Sequence, residues 1–418
     1  MTRAIFLSVL FSAISFAGAD EAYFTGIGVL NPDQPALNTS SNASAISGDG
    51  TVVVGLSTVG ESDLALIRWT LDGGLEEMPD FLRPLDISGD GSIIVGHDEL
   101  NQAVRWCEDT GLTYLFDSFK AETSYPWAIS DDGTTIVGGF WNQDQDGTDI
   151  AEAFVLTEEI GEIEQIGDFD GGAFLSTAGS VSADGQLAVG IGTSVDGYEA
   201  FLWNGVDGLV GLGDLPGGDQ RSLAFAISAD GSTVAGWSSS AASISLPVVY
   251  YDEAFRWTEE TGMVGLGHAP DGSLAVEARD ISDDGGIIVG RLFQNRPFVW
   301  DEASGVQSLE PLLARFGIDV SGWVLRSVSA VSGDGLTLVG TGKGPCGQEG
   351  WVAHLPFIPR PGDFDLDDDV DLTDFAEFVI CFGQTSITTS CLAADGDDDG
   401  DVDLLDFGVF QLAYTGSL

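Results

Sequence analysis

The chain predicts an all-β propeller of seven four-stranded blades, closed by its own N-terminal strand and followed by a small helical domain. Three observations carry this. The phrase Ser-x-Asp-Gly, followed by strand residues and a Gly, occurs seven times, beginning at Ser47, Ser88, Ser130, Ser182, Ser228, Ser282 and Ser332. A second phrase with alternating aromatics follows each copy, as in Ala254-Phe255-Arg256-Trp257. Beyond residue 362 the composition changes abruptly to Asp-rich loops alternating with apolar helical patterns.

The copies are separated by 41, 42, 52, 46, 54 and 50 residues, the period of one propeller blade. Asp-Gly between two β-branched runs supplies the positive φ of a tight turn, so the strand ending in Ile46-Ser47 folds back as Val52-Val53-Val54. The aromatic phrase is a third strand. Alternation puts Phe255 and Trp257 on one face, where they can pack between sheets, and Ala254 and Arg256 on the other. A fourth strand follows, as in Gly208-Leu209-Val210-Gly211-Leu212-Gly213 and Gly262-Met263-Val264-Gly265-Leu266-Gly267. The seventh unit ends at Trp351-Val352-Ala353-His354-Leu355 without a fourth strand, and an unpaired Tyr23-Phe24-Thr25-Gly26-Ile27-Gly28 stands near the start. Residues 22 to 30 are therefore expected to complete the last blade and remove its exposed edge.

Residues 1 to 19 read as a signal peptide: Arg3, an apolar run from Ala4 to Phe16 too short to span a bilayer, and Ala17-Gly18-Ala19 before a cleavage point near Ala19. The mature chain is expected to be secreted or on a bacterial cell surface. No later segment has the apolar length of a membrane span. The net charge of −53, from 67 acids against 14 bases, argues against nucleic acid as a partner, because a phosphate backbone would be repelled. Fifteen of the acids and none of the bases fall in residues 363 to 418. Cys381 and Cys391 can form a disulfide closing a loop of about ten residues. Cys107 and Cys346 lie in the second and seventh repeats, which are not neighbours, and are expected to stay unbonded to each other.

In chain order, residues 20 to 356 hold the propeller and 357 to 362, with three prolines nearby, read as a linker. Residues 363 to 418 form the last domain. The Asp-Gly turns are uniformly short, while the connections from strand two to three and from four to one vary. Both variable sets lie on one side of the disc, which is where function is expected. The repeat resembles the HAF repeats of extracellular bacterial proteins, whose pattern runs His-Ala-Phe-Leu-Trp, Gly-x-x-x-Leu-Gly, Ser-x-Asp-Gly. The position of the His holds Leu64, Gln102, Glu152, Glu199, Glu253, Arg296 and Glu349 here, so no role of that His carries over. The four Glu read as surface charge.

Two twelve-residue segments follow the linker. Asp363, Asp365, Asp367, Asp371 and Asp374 occupy positions 1, 3, 5, 9 and 12 of the first, and Asp395, Asp397, Asp399, Asp403 and Asp406 the same positions of the second. Asp369 and Asp401, at position 7, offer carbonyls. Ca²⁺ takes six to eight oxygens, and this spacing supplies them. Each loop leads into a helix with apolar spacing, Phe375, Phe378, Val379 and Phe382 in one and Phe407, Phe410 and Tyr414 in the other. The pair resembles a type I dockerin, an EF-hand-like module that binds two Ca²⁺ and implies a cohesin-like or other extracellular partner. Dockerins dock through positions 10 and 11, here Leu372, Thr373, Leu404 and Leu405, which are mostly apolar rather than polar.

A catalytic constellation is not legible. The three histidines, His97, His268 and His354, lack a motif-level Ser or Cys partner. Asp86 and Asp280 replace the Ala of equivalent first-strand positions (Ala45, Ala128, Ala226, Ala330) and are candidates for the axial channel, as a cation site or an acid and base. Trp141, Trp237, Tyr250 and Tyr251 in the variable loops could stack on the sugar rings of a polysaccharide. The reading is a secreted, non-catalytic binding or structural propeller attached through a calcium-dependent dockerin. Its alternative is a carbohydrate-active enzyme, hydrolase or lyase, or a lectin, delivered by the same module.

Overall fold

The computed structural model describes residues 21–31, 39–60, 63–80, 82–116, 123–143, 149–157, 163–245, 250–345, 347–358, 362–365, 370–384, 391, 394–396 and 401–414. The signal segment and Cys346 lie outside them.

Each Ser-x-Asp-Gly phrase is the turn between the first and second strands of a unit. In the fifth copy the Ser228 hydroxyl donates to Asp230 Oδ1 at 2.8 Å, and the Thr233 N–H donates to Ser228 Oγ at 3.0 Å. Asp230 Oδ1 also accepts from the Ser232 N–H, while Gly231, at φ +74°, donates to the Ser228 carbonyl. Ser and Asp thus satisfy the turn's backbone from inside, and Gly takes the left-handed residue at no steric cost. The x residues tie successive turns together around the axis. Gly333 N–H donates to the Gly48 carbonyl, Asp283 to Gly333, Ala229 to Asp283, Ala183 to Ala229, and Gly89 to Asp131.

Five units stand as separate four-stranded antiparallel sheets, not the seven that the repeat count predicts. Their first strands are Ser41–Ile46, Arg83–Ile87, Thr123–Ile129, Ala275–Ile281 and Val324–Val331. The other two, beginning at Thr177–Val181 and Gly217–Ile227, are joined in one eight-stranded sheet. The join is a parallel bridge from Tyr198 to Arg221. It arises because Gly217–Ile227, at 11 residues, starts further out than the other first strands and reaches its neighbour's third strand. The N-terminal strand Tyr23–Gly26 pairs antiparallel with Gly347–His354, from Tyr23 opposite His354 to Gly26 opposite Trp351, and so supplies the missing strand of the last sheet.

The aromatic phrase builds the core between sheets. Phe154, Phe201, Phe255, Phe298 and Trp351 are fully buried. Phe255 packs with Val189, Leu212 and Ala224, which belong to both halves of the eight-stranded sheet. Each such ring contributes roughly 1.5–3 kcal/mol by leaving water. Helix α1 (Leu309–Arg315) is not apparent in the repeat pattern. It buries Leu309, Leu312 and Leu313 against the last unit.

Helices α2 (Leu372–Cys381) and α3 (Leu404–Ala413) follow the two acidic loops, each opened by a reciprocal capping box, Asp371 with Asp374 and Asp403 with Asp406. Phe364, Phe378, Phe407 and Phe410 pack between them, and Cys381 is bonded to Cys391. On either side of residues 359–361, which lie outside the described residues, Phe357 meets the edge of Phe316, and Arg315 of α1 donates to the Asp363 carbonyl at 2.8 Å. No described helix is long and apolar enough to cross a membrane.

Candidate functional site

Two places concentrate chemistry: the propeller axis and the C-terminal loops. At the axis Asp86, Asp131, Asp280 and Asp283 line a narrow cavity of about 100 Å³ together with Ile46, Ile129 and Val331. Asp86 and Asp280 face the channel as their strand position predicts, but their oxygens are engaged. Asp86 Oδ1 accepts from its neighbour Ile87 and Oδ2 from Ile129 of the next unit, at 2.8 and 2.9 Å. Asp280 does the same with Ile281 and Val331. They staple adjacent sheets by satisfying inward-facing backbone donors that an Ala leaves to other partners. Burial pushes both carboxyls up to about 7, against those donors, which lower them; neighbouring carboxylates add to the rise. Asp131 and Asp283 are also raised, first by burial and then by nearby acids.

Above these acids, every first strand carries a bulge. Three residues before each turn serine the pairing skips one residue, Ser44, Leu85, Trp127, Gly179, Phe225, Arg279 and Ser329, and three of the strands carry a second shift nearer their start. None of the seven is buried, although the residue before each one is. Asp86, Ser180 and Asp280, each the next residue along from a bulge, line the axial cavity, which sets the bulges beside its mouth. Arg279 lies over the Phe225 ring at 5.1 Å, so bulges of successive units meet there. This ring is not visible in the sequence, since a bulged residue looks like any other until its partner strand is known.

The loop aromatics expected to form a sugar platform are not brought together. Trp141 joins Tyr125 and Trp127 in the third unit, with ring centroids 5.1 and 6.5 Å away. Trp237 lies under Arg221 at 5.7 Å, and Tyr251 meets Phe293 at 5.1 Å. Tyr250 pairs with Ser245, its side chain being outside the described residues. Nor are the Glu at the HAF position mere surface charge. Glu349 accepts from the Gly28 N–H at 2.8 Å and Glu199 from Gly213 at 3.3 Å, each latching the third strand to the end of the fourth. The glycines of the fourth strand make room for them: a Cβ on Gly26, Gly211 or Gly265 would run into Glu349, Glu199 or Glu253. Burial raises the Glu199 and Glu349 carboxyls. His97 packs against Tyr125, and His354 lies 3.0 Å from the Thr337 hydroxyl. Cys107 is a free thiol.

In the C-terminal loops two acidic triads, Asp363 with Asp365 and Asp374, and Asp401 with Asp403 and Asp406, each bring carboxylate oxygens within 4.8 Å of one another and could hold metal ions. Asp363, Asp374 and Asp406 are buried. Asp374 accepts from Phe364 and Asp371, and Asp406 from Gly396 and Asp403, which aims each position-12 carboxylate into its loop. Asp367, Asp369, Asp397 and Asp399 lie outside the described residues, and Asp371 and Asp395 are half-buried. Leu372, Leu404 and Leu405 are exposed, as is Thr373.

No protein-family model matches the chain, and no curated protein is significantly similar to it. Solved structures with related folds include an oligogalacturonate lyase in complex with manganese, 12% identical over 80% of this chain and 97% of that one, at a TM-score of 0.53. The β-propeller domain of the trilobed protease from Pyrococcus furiosus is 11% identical over 76% of this chain and 95% of that one, at 0.49. TolB from Acinetobacter baumannii is 14% identical over 54% of this chain at 0.39, and the match spans 53% of TolB's length. Together with the radial sheets, the first of these places the chain among β-propeller folds.

Proposed function

We propose that the protein is an exported, non-catalytic binding propeller of seven units, the eight-stranded sheet counting as two, attached to an extracellular protein by a calcium-loaded, dockerin-like C-terminal module. One observation carries the attachment reading. Asp363 and Asp374 are fully buried beside Asp365 in a segment that contains no basic residue. Like charges packed together out of water are costly without a cation. All-oxygen donors on a twelve-residue loop suit Ca²⁺ better than a softer metal. Asp363, Asp365 and Asp374 of the first loop and Asp401, Asp403 and Asp406 of the second would hold the ions.

The docking surface would be the apolar face beside the loops. Leu372, Val379, Ile380, Leu404 and Leu405 are all more than half exposed, an unusual density for two ten-residue helices. The axial acids support the non-catalytic part, because each carboxylate oxygen of Asp86 and Asp280 already holds a backbone N–H, a structural role in joining adjacent sheets.

Calcium titration of the full chain by calorimetry should give two sites, and none would overturn the reading. Capture of a cohesin-like or other envelope protein should require calcium and be lost in a Leu404→Asp, Leu405→Asp double variant that still binds both ions. Capture that survives chelator would place docking elsewhere.

A further inference from the structure

The bulge ring is uneven in a way that describes a ligand. In order around the axis its side chains are Ser44, Leu85, Trp127, Gly179, Phe225, Arg279 and Ser329. Trp127 is 37% exposed, an unusual state for an indole in mid-strand. Tyr125 stacks on it at 5.5 Å with 19° between planes, and Trp141 meets its edge. Those contacts hold the indole in place and leave its remaining surface open. Gly179 stands between Trp127 and Phe225 and adds no side chain to the gap between the two aromatics.

The charge at this level differs from the rest of the molecule. Across the chain acids outnumber bases 67 to 14, yet the first strands carry four of each: Arg83, Arg221, Arg279 and Arg326 against Asp86, Asp219, Glu277 and Asp280. Glu277 is buried and paired to both Arg279, at 2.6 Å, and Arg291. Two guanidinium groups on one carboxylate leave a net positive charge, and Arg279 keeps 45% of its side-chain surface exposed. One position further along the strands, the oxygens of Asp86 and Asp280 accept one backbone N–H each and retain lone pairs for a hydroxyl donor.

From this geometry we propose that the axial mouth binds a carboxylate-bearing sugar, its pyranose face on Trp127, its carboxylate on Arg279 and its hydroxyls toward the axial acids. An apolar ring face with a polar rim matches an exposed indole, and a planar guanidinium matches a carboxylate two hydrogen bonds at a time. The net charge of −53 opposes an anion at long range. At physiological ionic strength that repulsion is screened over about 8 Å, whereas Arg279 acts at contact. The inference rests on the reading that the propeller is a binding module and names what it binds.

The test is calorimetric titration of the full calcium-loaded chain with a glucuronic acid trisaccharide and with the matched glucose trisaccharide. Uronate should bind at least about tenfold more tightly than glucose. Trp127→Ala should weaken uronate binding about tenfold or more, and Trp127→Tyr, which keeps an aromatic face, should restore most of it. Arg279→Met should erase the preference for uronate over glucose. Thermal midpoints equal to wild type exclude misfolding. Equal binding of the two sugars, no uronate binding, or wild-type affinity in Trp127→Ala overturns the site and leaves calcium-dependent docking untouched. Cleavage of the bound uronate would instead keep the site and overturn the non-catalytic reading.

Discussion

In the propeller, four-stranded sheets pack through clusters that are wholly apolar, and the buried polar groups are mostly serines and threonines, many of them bonded to backbone. In the C-terminal module an aromatic cluster shares its small volume with buried carboxylates. Apart from the axial Asp86 and Asp280, four acids are buried among the described residues, and they show two solutions to one problem. Glu277 in the propeller is neutralised by Arg279 and Arg291, whereas Asp363, Asp374 and Asp406 lie in a segment without a single base. The first solution lies in ion pairs of the propeller itself; on the proposed reading the second takes an ion from outside. The two regions should therefore fail under different insults, and the following experiments press on that difference.

The largest separation comes from chelation. If the loops hold cations as proposed, removing them leaves like-charged carboxylates buried together, a defect of roughly 3–5 kcal/mol at each site. A domain of 56 residues has little stability to set against that, even with its disulfide. Scanning calorimetry in chelator should show the module's transition lost or moved far down while the propeller's stays close to its calcium-loaded position. A single merged transition that moves as one would show that the regions are not separate folding units. The converse is Phe201→Ala. That ring is fully buried between sheets, so its loss should cost about 3–5 kcal/mol in the propeller's transition. Calcium affinity should be unchanged.

Acidity should drive the two regions in opposite directions. Burial holds the Asp86 and Asp280 carboxyls at about 7 in the folded chain against an ordinary 3.8, so between those limits the native state binds more protons than the unfolded one. Propeller stability should fall as pH rises from about 4 to about 7, by at most roughly 1.4 kcal/mol per pH unit per group. Asp86→Asn should flatten that slope. The module's carboxylates must be ionised to hold a cation, so its calcium affinity should rise over the same range. Chemical denaturation at a series of pH values, with calcium titrations alongside, reads both. A propeller that gains stability from pH 5 to 7 would show that the axial acids ionise at ordinary values.

What was legible in the sequence divides along the reach of each interaction. The Ser-x-Asp-Gly turn can be read directly because Ser228, Asp230 and Gly231 satisfy one another within four residues. Phe201 and Phe255 are legible as core by alternation alone, and the acidic loops by spacing. The closing strand could be inferred from a missing partner, and Tyr23–Gly26 takes that place. The rest depends on a second chain segment. Glu199 reads as surface charge until Gly213 is known to approach it, and Asp86 as a free channel acid until the Ile129 N–H meets it. Trp127 is one aromatic among many until its partner strand skips it. The fusion of two units into one sheet hangs on the Tyr198–Arg221 bridge, which no repeat pattern encodes.

The smallest expected effect concerns the contact between the two regions. Arg315, at the end of α1, donates to the carbonyl of Asp363, the first residue of the first acidic loop, and Phe316 beside it meets Phe357. A hydrogen bond from a charged donor contributes up to about 1.5–3 kcal/mol when dry, and the partly buried setting here argues for the lower end or less. Arg315→Ala should therefore lower the module's transition by a few degrees in calcium and leave the propeller's transition in place. In chelator, with the loop already lost, the same substitution should change nothing, so the difference between the two conditions isolates the contact from any general effect of truncating α1. An equal shift in both would assign Arg315 to the stability of the propeller alone, and the module would then be joined to it through Phe357 and the chain that follows.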